Sequence, residues 1–122
     1  MTEAPRALVV VITHGIDHEL SSVALTIATG GMTAGLSVSL FLTSSGVELV
    51  RRRAIDTTHV APLDPLATLF ADFLKRGGTV WACTPCVKAR GYVEADLIDG
   101  ITIAGASGMH KLLAEGAATL SF

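Results

Sequence analysis

Charge is what this chain has least of. Only 16% of its 122 residues are Asp, Glu, Lys or Arg, against about 25% in an average globular domain. Half of the residues are hydrophobic. A small globule with so few charges has trouble covering its own apolar surface, which predicts a large subunit interface and hence a homo-oligomer. The formal net charge of −2 gives no basic footprint for nucleic acid. No run reaches the roughly 18 apolar residues that a membrane span needs, and residues 1–6 carry no charged-then-apolar leader pattern, so a cytoplasmic location is expected. Phosphate-loop and Gly-x-Gly-x-x-Gly patterns are missing as well. The nearest approach, Gly105-Ala106-Ser107-Gly108, reads as tight packing of a strand on a helix. Repeats, linkers and low-complexity stretches are absent, and the length suits one domain over residues 1–122.

Cysteine is equally scarce, and its placement is informative. The two cysteines stand as a Cys-x-x-Cys, Cys83 and Cys86, in the stretch Thr79-Val80-Trp81-Ala82-Cys83-Thr84-Pro85-Cys86-Val87-Lys88-Ala89-Arg90-Gly91-Tyr92. Val80 to Ala82 reads as a buried strand. Thr84-Pro85 then opens a helical turn, because proline suits the first helical positions. A thiol where a helix begins has its reactive thiolate form stabilised, and Lys88 and Arg90 add positive charge. The expectation is that Cys83 is the reactive thiol and that Cys86, one turn later, is secondary and points partly toward the core. The competing reading is that both cysteines are small buried hydrophobes. A structural disulfide fits poorly with a chain that lacks an export signal.

The rest of the chain alternates strand and helix. Ala7–Ile12 is a continuous apolar run suited to a strand buried on both faces. It ends in a polar loop containing His14, Gly15 and His18. Glu19 to Ala34 has helical spacing of apolar residues, with Ser21 and Ser22 on the opposite face, an interruption at Gly30-Gly31, and Gly35 as the stop. Ser37–Leu42 is a second strand, and Thr43-Ser44-Ser45-Gly46 is a loop leading into a helix from Val47 that Arg51-Arg52-Arg53 closes. Three arginines together suggest either a phosphate site or, more simply, complementation of a helix dipole. Asp64-Pro65 reads as a cap and first position for a helix bearing Leu66, Leu69, Phe70, Phe73 and Leu74. Tyr92 to Ile98 suggests a short helical segment, Ile101–Ala104 a fourth strand, the Met109, Leu112 and Leu113 spacing a last helix, and Ala117–Phe122 a final strand.

This alternation predicts an α/β fold: a three-layer, mainly parallel sheet of about five strands with helices on both faces, in a flavodoxin-like order. Ligands of such sheets bind beyond the carboxyl ends of the strands. His14 and Gly15, Thr43 and Ser44, Cys83 and Thr84, and Gly105 and Ala106 should therefore share one rim. Arg90, seven residues after Cys83, is placed two turns on and suited to stabilising a thiolate by charge. His14 is a candidate to orient or deprotonate a thiol. Cys83 and Cys86 make half of a zinc site, but no second close pair of ligands accompanies them, so neither a metal nor a cofactor is expected.

Several of these features occur together in a known group. The opening strand into Thr13-His14-Gly15, the strand Val80–Ala82 into Cys83, the pair Arg90-Gly91 and the ending Ala117-Ala118-Thr119-Leu120-Ser121-Phe122 resemble the DsrE/DsrF-like family of small sulfur-handling proteins, which includes the TusD-type sulfur carriers. The resemblance covers nearly the whole chain. It implies a cytoplasmic sulfurtransferase or carrier that passes persulfide sulfur through Cys83, with His14, Gly15, Thr43, Thr84 and Arg90 lining the site. It also implies a homotrimer or homohexamer, with proteins as sulfur donor and acceptor. Cys86 departs from the carriers, which commonly have a small apolar residue there, and points to a Cys-x-x-Cys subgroup. Two alternatives stand beside this reading: a thiol–disulfide redox protein using both cysteines, and a non-catalytic oligomeric scaffold.

Overall fold

A computed structural model describes residues 5–122 of the chain. Five strands form one parallel sheet: β1 Ala7–Ile12, β2 Ser37–Leu42, β3 Thr79–Cys83, β4 Ile101–Ala104 and β5 Ala118–Ser121. Four α-helices connect them: α1 Glu19–Thr33, α2 Leu66–Lys75, α3 Thr84–Ala89 and α4 Ala106–Ala114. A 3-10 turn at Ser44–Val50 follows β2, and a second at Glu94–Asp96 follows α3. The α/β class is as expected from the alternating pattern.

The strand order is β4-β3-β2-β1-β5, which corrects the flavodoxin-like order. Each of the first three crossovers steps one strand in the same direction, and only the last returns, to the far side of β1. Right-handed crossovers then put α1 and α2 on one face and α4 on the other. Gly31 of α1 lies against Leu8 and Val38, which share a register row on that first face. The main core is here: Leu8, Val10, Ile12, Leu40, Leu42, Val80 and Ala82 from the strands, with Leu25, Leu66, Phe70 and Phe73 from α1 and α2, all buried. Burial of each such large side chain contributes about 1.5–3 kcal/mol. The α4 face is covered more thinly. No residue of α4 is buried, and Met109, Leu112, Leu113, Trp81 and Phe122 are only partly covered.

Three local expectations change. Ser21 and Ser22 are fully buried rather than on a polar face; the Ser21 hydroxyl lies 2.9 Å from the His14 carbonyl and 2.7 Å from that of Gly15, tying the loop after β1 to α1. Gly30-Gly31 does not interrupt α1, which runs to Thr33. Asp64 does not cap α2: Pro65 holds the N-cap position, and the Leu66 N–H is satisfied by the Thr58 carbonyl at 3.0 Å.

Candidate functional site

The sheet's carboxyl rim is built by the exits of β1, β2 and β3. After β2 the chain turns sharply into the 3-10 turn, and Gly46 lets that turn sit directly on the Ile12 carbonyl, where a Cβ would collide. Ser44 is held at φ 53, a left-handed conformation uncommon for a residue with a side chain. This geometry aims the Ser44 N–H at the neighbouring strand exit. After β3, Cys83 is the N-cap residue of α3, Pro85 occupies the first turn, and Gly91 at φ 73 ends the helix. Glycine suits that left-handed stop because it has no Cβ to strain.

The sulfur that meets the β2 exit belongs to Cys86. The Ser44 N–H donates to Cys86 Sγ at 3.1 Å, and Thr43 Oγ1 lies 3.5 Å from the same atom. The Thr43 hydroxyl, the Ser44 N–H, the Cys83 thiol and the Arg90 charge together hold the Cys86 thiol below its ordinary value of 9.0, against the opposing effect of burial. Exposure also runs opposite to the expectation. Cys83 is buried, at 8% exposure, and Cys86 is half-buried. Cys83, like Trp81 two residues earlier, points to the α4 face of the sheet.

Arg90 is not a free cation beside the sulfur. Its Nε donates to Glu48 Oε1 at 3.1 Å, and its Nη1 donates to the Cys86 carbonyl at 3.2 Å. Glu48 also accepts from Tyr92 OH, at 2.9 and 2.8 Å to its two oxygens, and from Arg51 Nε at 3.2 Å. Burial pushes the Glu48 carboxyl up, but the hydrogen bonds from Tyr92 and Arg51 and the charges of Arg51 and Arg90 outweigh it and leave the carboxyl below 4.5. The phenol of Tyr92 is pushed above 10.0 by burial and then by Glu48. This clasp ties α3 to the 3-10 turn and so fixes the Cys86 sulfur against Ser44. Sequence reasoning placed Ser44 on the rim without a role for its N–H, and gave Glu48 and Tyr92 no part in the site.

The remaining expected residues fall beside this centre. Thr84 opens α3. His14 and Gly15 line a cleft of about 490 Å³ with Ile16, Asp17, Ser45 and Glu48. The His14 ring stacks on His18 at 4.0 Å, and His18 Nδ1 accepts the Leu20 N–H at 3.1 Å as the cap of α1. His14 Nδ1 is buried without a partner. The structure thus joins His14 to Glu48 through the cleft rather than to a cysteine sulfur. The three arginines are each paired: Arg51 with Glu48, Arg52 with Asp99 and Arg53 with Asp56. Arg51 is the C-cap of the 3-10 turn, and Arg52 and Arg53 lie beyond it. Among the described residues no three His, Cys, Asp or Glu side chains gather at metal-binding range, and no helix is long and apolar enough to cross a membrane.

Comparison with known proteins accords with this architecture. The chain is 32% identical over 91 residues to the uncharacterized protein MJ0989 of Methanocaldococcus jannaschii, covering 75% of this chain and 74% of the relative. It is 31% identical over 96 residues to the uncharacterized protein MK0008 of Methanopyrus kandleri, covering 79% and 74%. The crystal structure of the ychN protein from E. coli superposes with a TM-score of 0.77 at 19% identity, over 97% of this chain and 99% of that one. The MTH1491 protein of Methanobacterium thermoautotrophicum gives 0.72 at 18% identity with the same coverage; at these identities the likeness concerns the fold. The DsrE/DsrF-like family description matches residues 6–122, and the chain belongs to that family.

Proposed function

We propose that this protein is a sulfur carrier or sulfurtransferase in which Cys86, rather than Cys83, takes up and holds persulfide sulfur. The observation that carries this reading is the seat of Cys86 Sγ between the Ser44 N–H and the Thr43 hydroxyl at the sheet's rim. A thiol attacks a persulfide as its thiolate, and donors aimed at the sulfur favour that form at neutral pH. Cys86 is also the more exposed of the pair, within reach of a donor protein. Family membership supports a role in sulfur relay. Atoms balance simply: the Cys86 thiolate attacks the terminal sulfur of a donor persulfide, the donor's S–S bond breaks, and the donor leaves as a thiolate while Cys86 becomes a persulfide.

A cytoplasmic, homo-oligomeric protein, trimeric or hexameric, completes the proposal. The thin cover over the α4 face supports the oligomer. A second reading, thiol–disulfide exchange between Cys83 and Cys86, is favoured by their Cys-x-x-Cys placement across the start of α3. The deciding experiment is intact-mass spectrometry without reductant after exposure to a persulfide donor. One added sulfur on Cys86 supports the carrier. Unmodified thiols in fully folded protein argue for the scaffold reading, in which neither cysteine reacts.

A further inference from the structure

We propose that Cys83 is a resolving thiol: it attacks a persulfide on Cys86, expels the outer sulfur as sulfide and leaves a Cys83–Cys86 disulfide. This rests on the carrier reading above and adds an activity to it, the release of sulfide when no acceptor is present.

The arrangement of the pair carries the inference. Cys83 is the N-cap residue of α3 and Cys86 lies three residues on, within the first turn. Neighbours at that helical spacing have Cβ atoms about 5–6 Å apart, so modest closure reaches the Cβ separation of about 3.5–4.5 Å that a disulfide needs. Both residues sit at the start of α3, with Cys83 at the cap and Cys86 in the first turn, so the thiols are held on neighbouring positions of one short segment. The two sulfurs differ in access. Cys83 is packed with Ala82 and Val87 in the core and is nearly closed to solvent, so a bulky donor or acceptor meets Cys86 only. Cys83 is therefore placed to react with what Cys86 carries and with little else.

The step balances within the molecule. Cys83 gives up its proton and its sulfur attacks Cys86 Sγ. The bond between Cys86 Sγ and the outer sulfur breaks, and its electron pair leaves with the outer sulfur, which takes up a proton and departs as sulfide. Two thiol-level hydrogens and three sulfurs stand on each side: a persulfide and a thiol become a disulfide and hydrogen sulfide. Cys83 is oxidised, the outer sulfur is reduced, and no external oxidant takes part. Sulfur on Cys86 is thus partitioned. A docked acceptor that attacks the outer sulfur receives it intact, and an undocked carrier discharges it as sulfide.

The test is a single turnover on the full chain. Reduced wild type and Cys83→Ser, with Cys83→Ala as a second variant that keeps a small apolar side chain, are loaded with inorganic polysulfide and desalted. The persulfide mass, released sulfide and the cysteine-linked peptide are then followed without reductant. The wild type is expected to lose its added sulfur, release about one sulfide per persulfide and gain an intrachain Cys83–Cys86 disulfide, while the variants keep the persulfide about tenfold longer or more. Equal persulfide lifetimes in wild type and both variants, or a disulfide only between chains, overturn the inference and leave the carrier reading standing. Failure of folded wild type and variants alike to acquire sulfur on Cys86 overturns both.

Discussion

Ser44 and Cys86 form the relationship on which the site turns: the Ser44 N–H donates to Cys86 Sγ over 3.1 Å from a backbone held at φ 53. A side-chain-bearing residue in this region stores strain. Here the strain coincides with a donor aimed at sulfur. The donor reaches the thiol from outside its own helix, from the exit of the adjacent strand. α3 has only six residues, and the polarised sulfur lies inside its first turn rather than at the cap.

The two cysteines are therefore expected to separate sharply in reactivity. In native protein, a disulfide-type thiol reagent should label one thiol rapidly below neutral pH. Cys86→Ser should abolish that phase, and Cys83→Ser should retain it with a rate changed by less than about tenfold. Rapid labelling that survives Cys86→Ser and disappears in Cys83→Ser would return the reactive role to Cys83.

Thr43 and Ser44 make distinguishable contributions. Thr43→Val removes a hydroxyl while keeping the shape, so the Cys86 titration, read by ultraviolet thiolate absorbance, should move to higher pH. A shift of one unit lowers the thiolate fraction at neutral pH by about tenfold. Ser44→Gly keeps the N–H and relieves the positive φ, so it should leave the titration in place and stabilise the fold by up to about 1 kcal/mol. A Thr43→Val titration that moves to lower pH would show that the hydroxyl accepts from the thiol rather than donating to it, and one that coincides with wild type would show that it contributes nothing.

Much of the scaffold was legible because it rests on local signals. Ser37–Leu42 and Ile101–Ala104 are strands with the bounds that their apolar runs suggest, and Gly35 and Gly77 stop helices at positive φ. The strand order was not legible, since a β-run carries no mark of which sheet edge its crossover reaches. The relative exposure of the cysteines and the hydrogen bonds to Cys86 were not legible for a related reason. Strand-end logic points to Cys83, but the groups that meet Cys86 come from Thr43 and Ser44, some forty residues away in sequence. Arg90 was singled out as a charge near sulfur, yet its Glu48 partner is 42 positions distant, and nothing in the spacing announces it.

The clasp makes a prediction about acid. Glu48 has its folded value lowered, so its contribution to stability is present above its ordinary value of 4.5 and is lost as pH falls through the folded value. Tyr92 has its folded value raised, so its contribution is present below 10.0 and is lost as pH rises through the folded value. Glu48→Gln should destabilise by about 1–3 kcal/mol at neutral pH, the cost of weakening partly buried charged hydrogen bonds. It should also flatten the stability profile below pH 4.5. Parallel denaturation curves across acid pH for wild type and Glu48→Gln would show that the carboxylate adds nothing.

Arg90 separates position from charge. Its charge is the smallest of the influences that lower the Cys86 thiol, and it is paired with Glu48 at 3.1 Å. Its second contact, from Nη1 to the Cys86 carbonyl, fixes the turn that bears the sulfur. Arg90→Met should therefore raise the Cys86 titration less than Thr43→Val does, while lowering thermal stability as Glu48→Gln does. The double variant should cost less than the sum of the two single changes, since both remove one shared ion pair. Lys88→Met, on an exposed position of the same helix, is the control and should change neither quantity. A larger titration shift in Arg90→Met than in Thr43→Val would make the guanidinium a direct electrostatic activator of the thiol, and strict additivity of Arg90→Met with Glu48→Gln would dissolve the clasp as a coupled unit.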